Sequence, residues 1–317
     1  MCRLVIFLFL TSLPMAVFAN DRVILQPDGT SGTVSLTGEI IDYTGRELVI
    51  RPRELGDIKR YPASTVREIQ TAYHDSHVAG REALARRDWT TCEDKLALAL
   101  NQETRVWVRR DILALQVRSA LEQGKWLQAA QRFLLIIESD PRTIHYDLIP
   151  LLWIGGTLSE EESALMRGWL NHRYAAAQLI AVSALLDVRD GQVTQTLKSL
   201  LRGDDPIVQR LARFLDYRAQ ISDDPQALPD LRRWENQADE LAPALRGGPY
   251  LVIGVAYSLK HEHDWAAACY LRTPLMNHPD ARLRRSAGRL AVESLTASGM
   301  IAAAESLQRE FANRERE

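Results

Sequence analysis

The 317-residue chain predicts a mainly α fold, an α-solenoid of antiparallel helical hairpins preceded by a small all-β barrel domain. Three observations predict it. First, four segments place a Trp or Met three positions before a small residue: Trp89 with Cys92, Trp126 with Ala129, Trp265 with Ala268, and Met300 with Ala303. Trp89 and Trp126 are 37 residues apart and Trp265 and Met300 are 35 apart, the period at which one helical hairpin repeats when no unit can bury its apolar face without a neighbour. Second, residues 22 to about 73 carry short β-branched runs broken by turn signals, with no helical period. Third, from Asp75 onward the apolar spacing follows 3.6 residues, and Gly and Pro fall between segments.

Residues 1–19 read as a signal peptide. Arg3 supplies a positive start, Leu4 to Leu10 is unbroken apolar sequence, Pro14 interrupts it, and Val17-Phe18-Ala19 suits cleavage after Ala19. The stretch is shorter than the ~20 apolar residues of a spanning helix, so the mature chain is expected to begin at Asn20 and to be periplasmic or secreted. Loss of Arg3 leaves 38 basic against 41 acidic residues, a net charge of −3. Such a balance provides no basic field for nucleic acid. No later stretch is long and apolar enough to cross a membrane, and Ala175 to Leu186 reads as a buried helix.

Residues 20–73 form the β module. Strands are expected at Val23–Leu25, Thr33–Asp42, Glu47–Ile50, Ile58–Tyr61 and Val66–Ile69, with Pro62-Ala63-Ser64 turning between the last two. Five short strands bury a core by curling into a small barrel. The run from Gly38 to Ile50, with a final strand ending at Ile69, resembles the strand order of small SH3-like and Sm-like barrels. The Sm family's RNA-contacting pattern is not met, because Asp42 has no following Asn in place. The module is expected to cap the helices or dock to a neighbour.

The helical body is expected in three blocks, 75–141, 142–225 and 226–317. In the first, Leu113, Val117, Ala120 and Leu121 make one helix face and Ala129, Phe133, Ile136 and Ile137 the next, with Gly124-Lys125 as the turn and Asp140-Pro141 as the stop. Gly124, Trp126, Ala129 and Pro141 stand at positions that resemble the tetratricopeptide repeat, in segments 75 to 141 and 249 to 312. The chain departs from that family in using Trp where Tyr is usual and in its longer period. In the middle block, Ser159-Glu-Glu-Glu162 is a capping box, and Asp205-Pro206 gives an N-cap with Pro at the first helical position. Its helices resemble HEAT-type repeats, and a kink or linker is expected at 223–229.

Both mature cysteines, Cys92 and Cys269, are expected to fill tight helix contacts rather than to pair, since a disulfide would need two distant repeats to touch. His261-Glu262-His263-Asp264 lacks the four-residue spacing of a helical metal motif and reads as a polar turn. Neither a nucleophile elbow nor a phosphate loop occurs. No catalytic residue, cofactor or metal is therefore expected, and the chain reads as a non-enzymatic scaffold. Its binding candidates are Arg105, Arg109 and Arg110, on the first helix of a pair, where the guanidinium fork suits a carboxylate. The expected partner is a protein or peptide of the cell envelope. The alternative is an envelope glycan or ligand bound through the β module, with a hydrolase ranking below both. Surface aromatics would favour the glycan, whereas the repeat reading buries Trp89, Trp126 and Trp265.

Overall fold

The computed structural model describes residues 21–27, 29, 32–53, 56–188, 190–223, 230–276 and 278–314, the side chains of 222, 223 and 314 excepted. The signal segment and residues 224–229 of the expected linker lie outside them. Two compact units meet in sequence between Tyr73 and His74.

The first unit is an antiparallel sheet of β1 (Asp21–Leu25), β2 (Val34–Tyr43), β3 (Glu47–Pro52), β4 (Lys59–Pro62) and β5 (Val66–Gln70), in the order β4-β3-β2-β1-β5. All five strands stand where the alternating pattern predicts them. Val23, Leu25, Ile40, Leu48 and Ile50 make the buried face, and bulges shift the register between Ile24 and Leu25 and between Ile40 and Asp42. Among the described residues no ladder joins β4 to β5, so β4 and β5 are the edge strands of the small β domain. Pro62 ends the four-residue β4 and has no N–H to extend a ladder.

The second unit is helical: α1 (Asp75–Ala85), α2 (Trp89–Gln102), α3 (Val106–Glu122), α4 (Trp126–Ser139), α5 (Glu160–Trp169), α6 (Ala175–Leu185), α7 (Gly191–Leu200), α8 (Pro206–Asp223), α9 (Leu231–Asp239), α10 (Gly247–Leu259), α11 (His263–Leu275), α12 (Ala281–Ala297) and α13 (Ile301–Arg314). The local signals hold. Ser159 and Glu162 form both bonds of the capping box, Asp205 Oδ1 accepts from the N–H of Ile207 and Val208, and α6 is buried on nearly every side. Both expected faces of α3 and α4 are buried. Neighbouring helices pack in pairs, and one apolar core runs from Leu113 to Ala291.

Four hairpins, α1–α2, α3–α4, α10–α11 and α12–α13, turn through one backbone geometry. Each has a residue at positive φ two positions before the second helix: Arg87 (58°), Gly124 (71°), His261 (61°) and Gly299 (84°). The following N–H reaches back five residues, from Asp88 to Ala83, Lys125 to Ala120, Glu262 to Tyr257 and Met300 to Leu295, at 2.8–3.0 Å. This is the Schellman closure, which satisfies carbonyls that a helix end leaves open.

Counted from that turn, the fourth residue of the second helix is small and buried in all four copies: Cys92, Ala129, Ala266 and Ala304. The sequence spacing therefore picks the right residues in the first two copies and misplaces them in the last two. Ala268 and Ala303 are exposed, as are Trp265 at 53% and Met300 at 41%. Trp126 opens its helix, whereas Trp265 is the third residue of α11, and two residues rotate a side chain by about 200° around a helix. Trp126 is buried and donates from Nε1 to Pro150 O at 2.7 Å. Trp265 instead lies over Tyr257 at the surface, ring centroids 6.3 Å apart. Trp89 is half-buried.

Distant hairpins also touch. Glu122, at the end of α3, takes a forked pair of bonds from Arg284 of α12, at 2.7 and 3.1 Å. The α3–α4 turn lies against the same helix, for a Cβ on Gly124 would stand 3.2 Å from Arg282 Cγ and Cδ. The array is thus closed by contact between its first and last blocks. Cys92 and Cys269 nevertheless stay free and buried.

Candidate functional site

Closure leaves a groove of about 990 Å³ between the early and late hairpins. Four pieces of chain build it. The α1–α2 turn brings Arg87 and Trp89, and α3 brings Arg118 and Glu122, one helical turn apart. From α12 come Ala281, Arg284, Arg285, Gly288, Arg289 and Val292, whose spacing of three and four residues keeps them on one face, and α13 adds Gln308, Phe311 and Ala312. Pro274 and Pro279 complete the wall. Gly288 is a requirement of this packing, since a Cβ there would come within 2.8 Å of the Phe311 ring.

Charge is the groove's distinctive property. Five arginines line it with a single carboxylate, Glu122, which is committed to Arg284. Arg289 pairs with Glu293 on its own helix at 3.1 Å, both side chains well exposed, an arrangement that holds the guanidinium weakly. Arg87, Arg118 and Arg285 are exposed, and no ion pair is recorded for them among the described residues. In a chain of net charge near zero, this is a local cationic field over an apolar floor of Trp89, Val292 and Phe311.

The arginines singled out by sequence do not line this groove. Arg105 forms an ion pair with buried Glu103 at 2.7 Å and lies over the Trp107 ring. Arg109 donates to the carbonyls of Leu100 and Glu103, closing the end of α2, and Arg110 is buried with Nη1 3.0 Å from Ser139 Oγ. They hold helix ends together through carbonyl, carboxylate and hydroxyl partners. The groove arginines left two sequence signals, Arg86-Arg87 beside the first motif and the run Arg282, Arg284, Arg285 and Arg289. Neither stands out without knowledge that α3 and α12 meet.

The histidines divide by environment. His261 stands in the α10–α11 turn and His263 opens α11, their ring centroids 6.0 Å apart. His278 is buried against Gly247 and its Nδ1 accepts from Asp280 N at 3.2 Å, and burial, with Arg284 nearby, pulls its pKa down to about 3. His145 does meet a carboxylate from another helix, with Nε2 3.1 Å from Asp111 Oδ1. Among the described residues no group of three or more His, Cys, Asp or Glu side chains is placed to hold a metal ion. Burial pushes the Cys269 thiol up to about 12, far from the thiolate that nucleophilic chemistry needs.

No protein family, curated protein or solved structure matches the chain. Fold and groove together define a class: an array of helical hairpins with an arginine-lined groove, preceded by a small β domain.

Proposed function

We propose that the protein is an exported, non-enzymatic adaptor whose helical array, similar to tetratricopeptide and HEAT arrays, binds an extended acidic segment of a partner protein. The observation that carries this reading is the groove with five arginines and one committed carboxylate. Clustered cations repel one another, and a partner's carboxylates relieve that repulsion while steering encounter. The apolar floor gives the segment an anchor: Trp89, Val292 and Phe311 suit one aromatic or aliphatic side chain between acidic ones. Export rests on the apolar segment 4–10 and the cleavage pattern ending at Ala19.

The test is calorimetric titration of the full mature chain with a glutamate-rich peptide carrying one central Phe. Binding is expected to weaken steeply between low and physiological salt, and to weaken at least tenfold in an Arg118→Ser, Arg285→Ser chain. Salt-insensitive binding, or binding unchanged by both substitutions, would count against the groove. The glycan alternative gains one observation, the exposed Trp265 on Tyr257, which supports a stacking platform on the helical unit. Loss of oligosaccharide binding in Trp265→Ala would favour it.

A further inference from the structure

A second cleft, of about 650 Å³, opens where four pieces of chain meet: the α3–α4 turn with the start of α4, the segment Leu152 to Leu158, Glu162 of α5, and the start of α12 with Asp280 before it. It shares no residue with the arginine groove. Its volume falls within the range of about 300–1,000 Å³ usual for small-molecule sites, which are mostly apolar with a few placed polar groups. Leu127, Trp153, Ile154 and Leu283 supply the apolar walls.

Three polar atoms at this cleft lack hydrogen bonds. Arg282 and Gln128 both line the cleft. Nε and Nη2 of Arg282 and Oε1 of Gln128 are buried atoms that make no hydrogen bond. Asp280 Oδ1 forms an ion pair with Arg282 at 3.7 Å from Nε, too long for a hydrogen bond, and accepts from the backbone N–H of Arg282 and Leu283 at 2.8 and 3.4 Å. The Arg282 stem is held by its packing on the Gly124 turn. Beside it, Lys125 precedes α4 without capping it through its side chain, so the first-turn N–H groups add positive potential. Buried polar atoms in native proteins are nearly all satisfied, and bare ones are costly.

The demands of these atoms specify a ligand. Arg282 calls for an anionic acceptor with two oxygens, Gln128 Oε1 calls for a donor, and the walls call for an apolar group. We infer that the cleft binds an N-acyl amino-acid carboxylate: the carboxylate on Arg282, the amide N–H on Gln128 Oε1, and an aliphatic side chain against Leu127, Trp153 and Leu283. This chemistry has two sources, a free N-acylated amino acid and the C-terminal residue of a polypeptide.

The experiment follows the indole ¹H–¹⁵N signals of Trp126 and Trp153, which both line the cleft, in the full mature chain. The probes are N-acetylleucine, a short peptide ending in Leu with a free carboxylate, and N-acetylleucinamide. Saturable shifts are expected with the first two and binding at least tenfold weaker with the amide. Tighter binding of the peptide than of N-acetylleucine identifies a chain terminus as the natural source, and the reverse identifies a free ligand. Arg282→Gln is expected to weaken binding about tenfold. Gln128→Met is expected to weaken binding while leaving Tm unchanged or raised, because an apolar group replaces a buried acceptor with no partner; a purely structural Gln128 would lower Tm instead. No saturable shift with either carboxylate, or equal binding of the amide, overturns the inference.

Discussion

The α3–α4 and α10–α11 hairpins turn through the same Schellman closure, yet one buries its tryptophan and the other leaves it half exposed. The difference teaches where the repeat resides. It lies in the left-handed turn residue and the small residue at the fourth position of the next helix, Ala129 in one hairpin and Ala266 in the other. An aromatic near the turn is incidental to that geometry: at the first helical position it is a wedge, and two residues later it faces solvent.

The largest expected effect separates the two tryptophans. Trp126→Ala removes a buried ring and leaves Pro150 O without its donor, at a cost of about 3–5 kcal/mol, whereas Trp265→Ala should stay within about 0.5 kcal/mol. Urea unfolding of both variants checks this, and equal losses would break the comparison.

Next comes acid sensitivity, which the late block carries through His278 and the early one through His77. Burial depresses both histidines below their usual value of 6.5, His278 to about 3. The unfolded chain therefore takes up protons first as pH falls. Stability is complete above about pH 6.5 and declines from there toward pH 3. His278→Asn, whose side-chain oxygen can still accept from Asp280 N, should flatten that decline in a Tm-against-pH series. An unchanged slope would show that His278 does not carry it.

Overpacking sharpens the register. Ala266→Leu should cost about 1–3 kcal/mol and Ala268→Leu, one turn position away on the exposed side, almost nothing by thermal unfolding. Smaller changes are expected at the turn residues, where a non-glycine side chain at positive φ costs about 1–2 kcal/mol. His261→Gly should accordingly raise stability by roughly 1 kcal/mol, and Gly124→Ala should lower it by a similar amount through the same φ and the nearby Arg282.

Much of the architecture was legible because its signals are local. The Ser159 capping box, the Asp205-Pro206 start, the buried run of α6 and the faces of α3 and α4 depend on residues within a few positions of one another. The register of the late hairpins was not legible, because Trp265 stands two residues past the start of α11 and Met300 one residue before the start of α13, so the large residue does not mark a fixed point of the turn. Neither was the groove. Its walls come from α3 and α12, joined by a Glu122–Arg284 pair 162 residues apart in sequence, and no periodicity encodes such a meeting. Arg105, Arg109 and Arg110 drew attention as a dense local run, but their carbonyl, carboxylate and hydroxyl partners are helix-end groups that secondary structure alone does not reveal.

If the arginine groove selects its partner by charge, reversing its charge must reverse the partner. A charge-swap titration tests it most directly: the mature chain and its Arg118→Glu, Arg285→Glu variant, each measured against a glutamate-rich peptide and a lysine-rich peptide of equal length with the same central Phe. The native chain should bind the acidic peptide, and the variant should lose it while gaining the basic one. Equal binding of both peptides by both chains would contradict it.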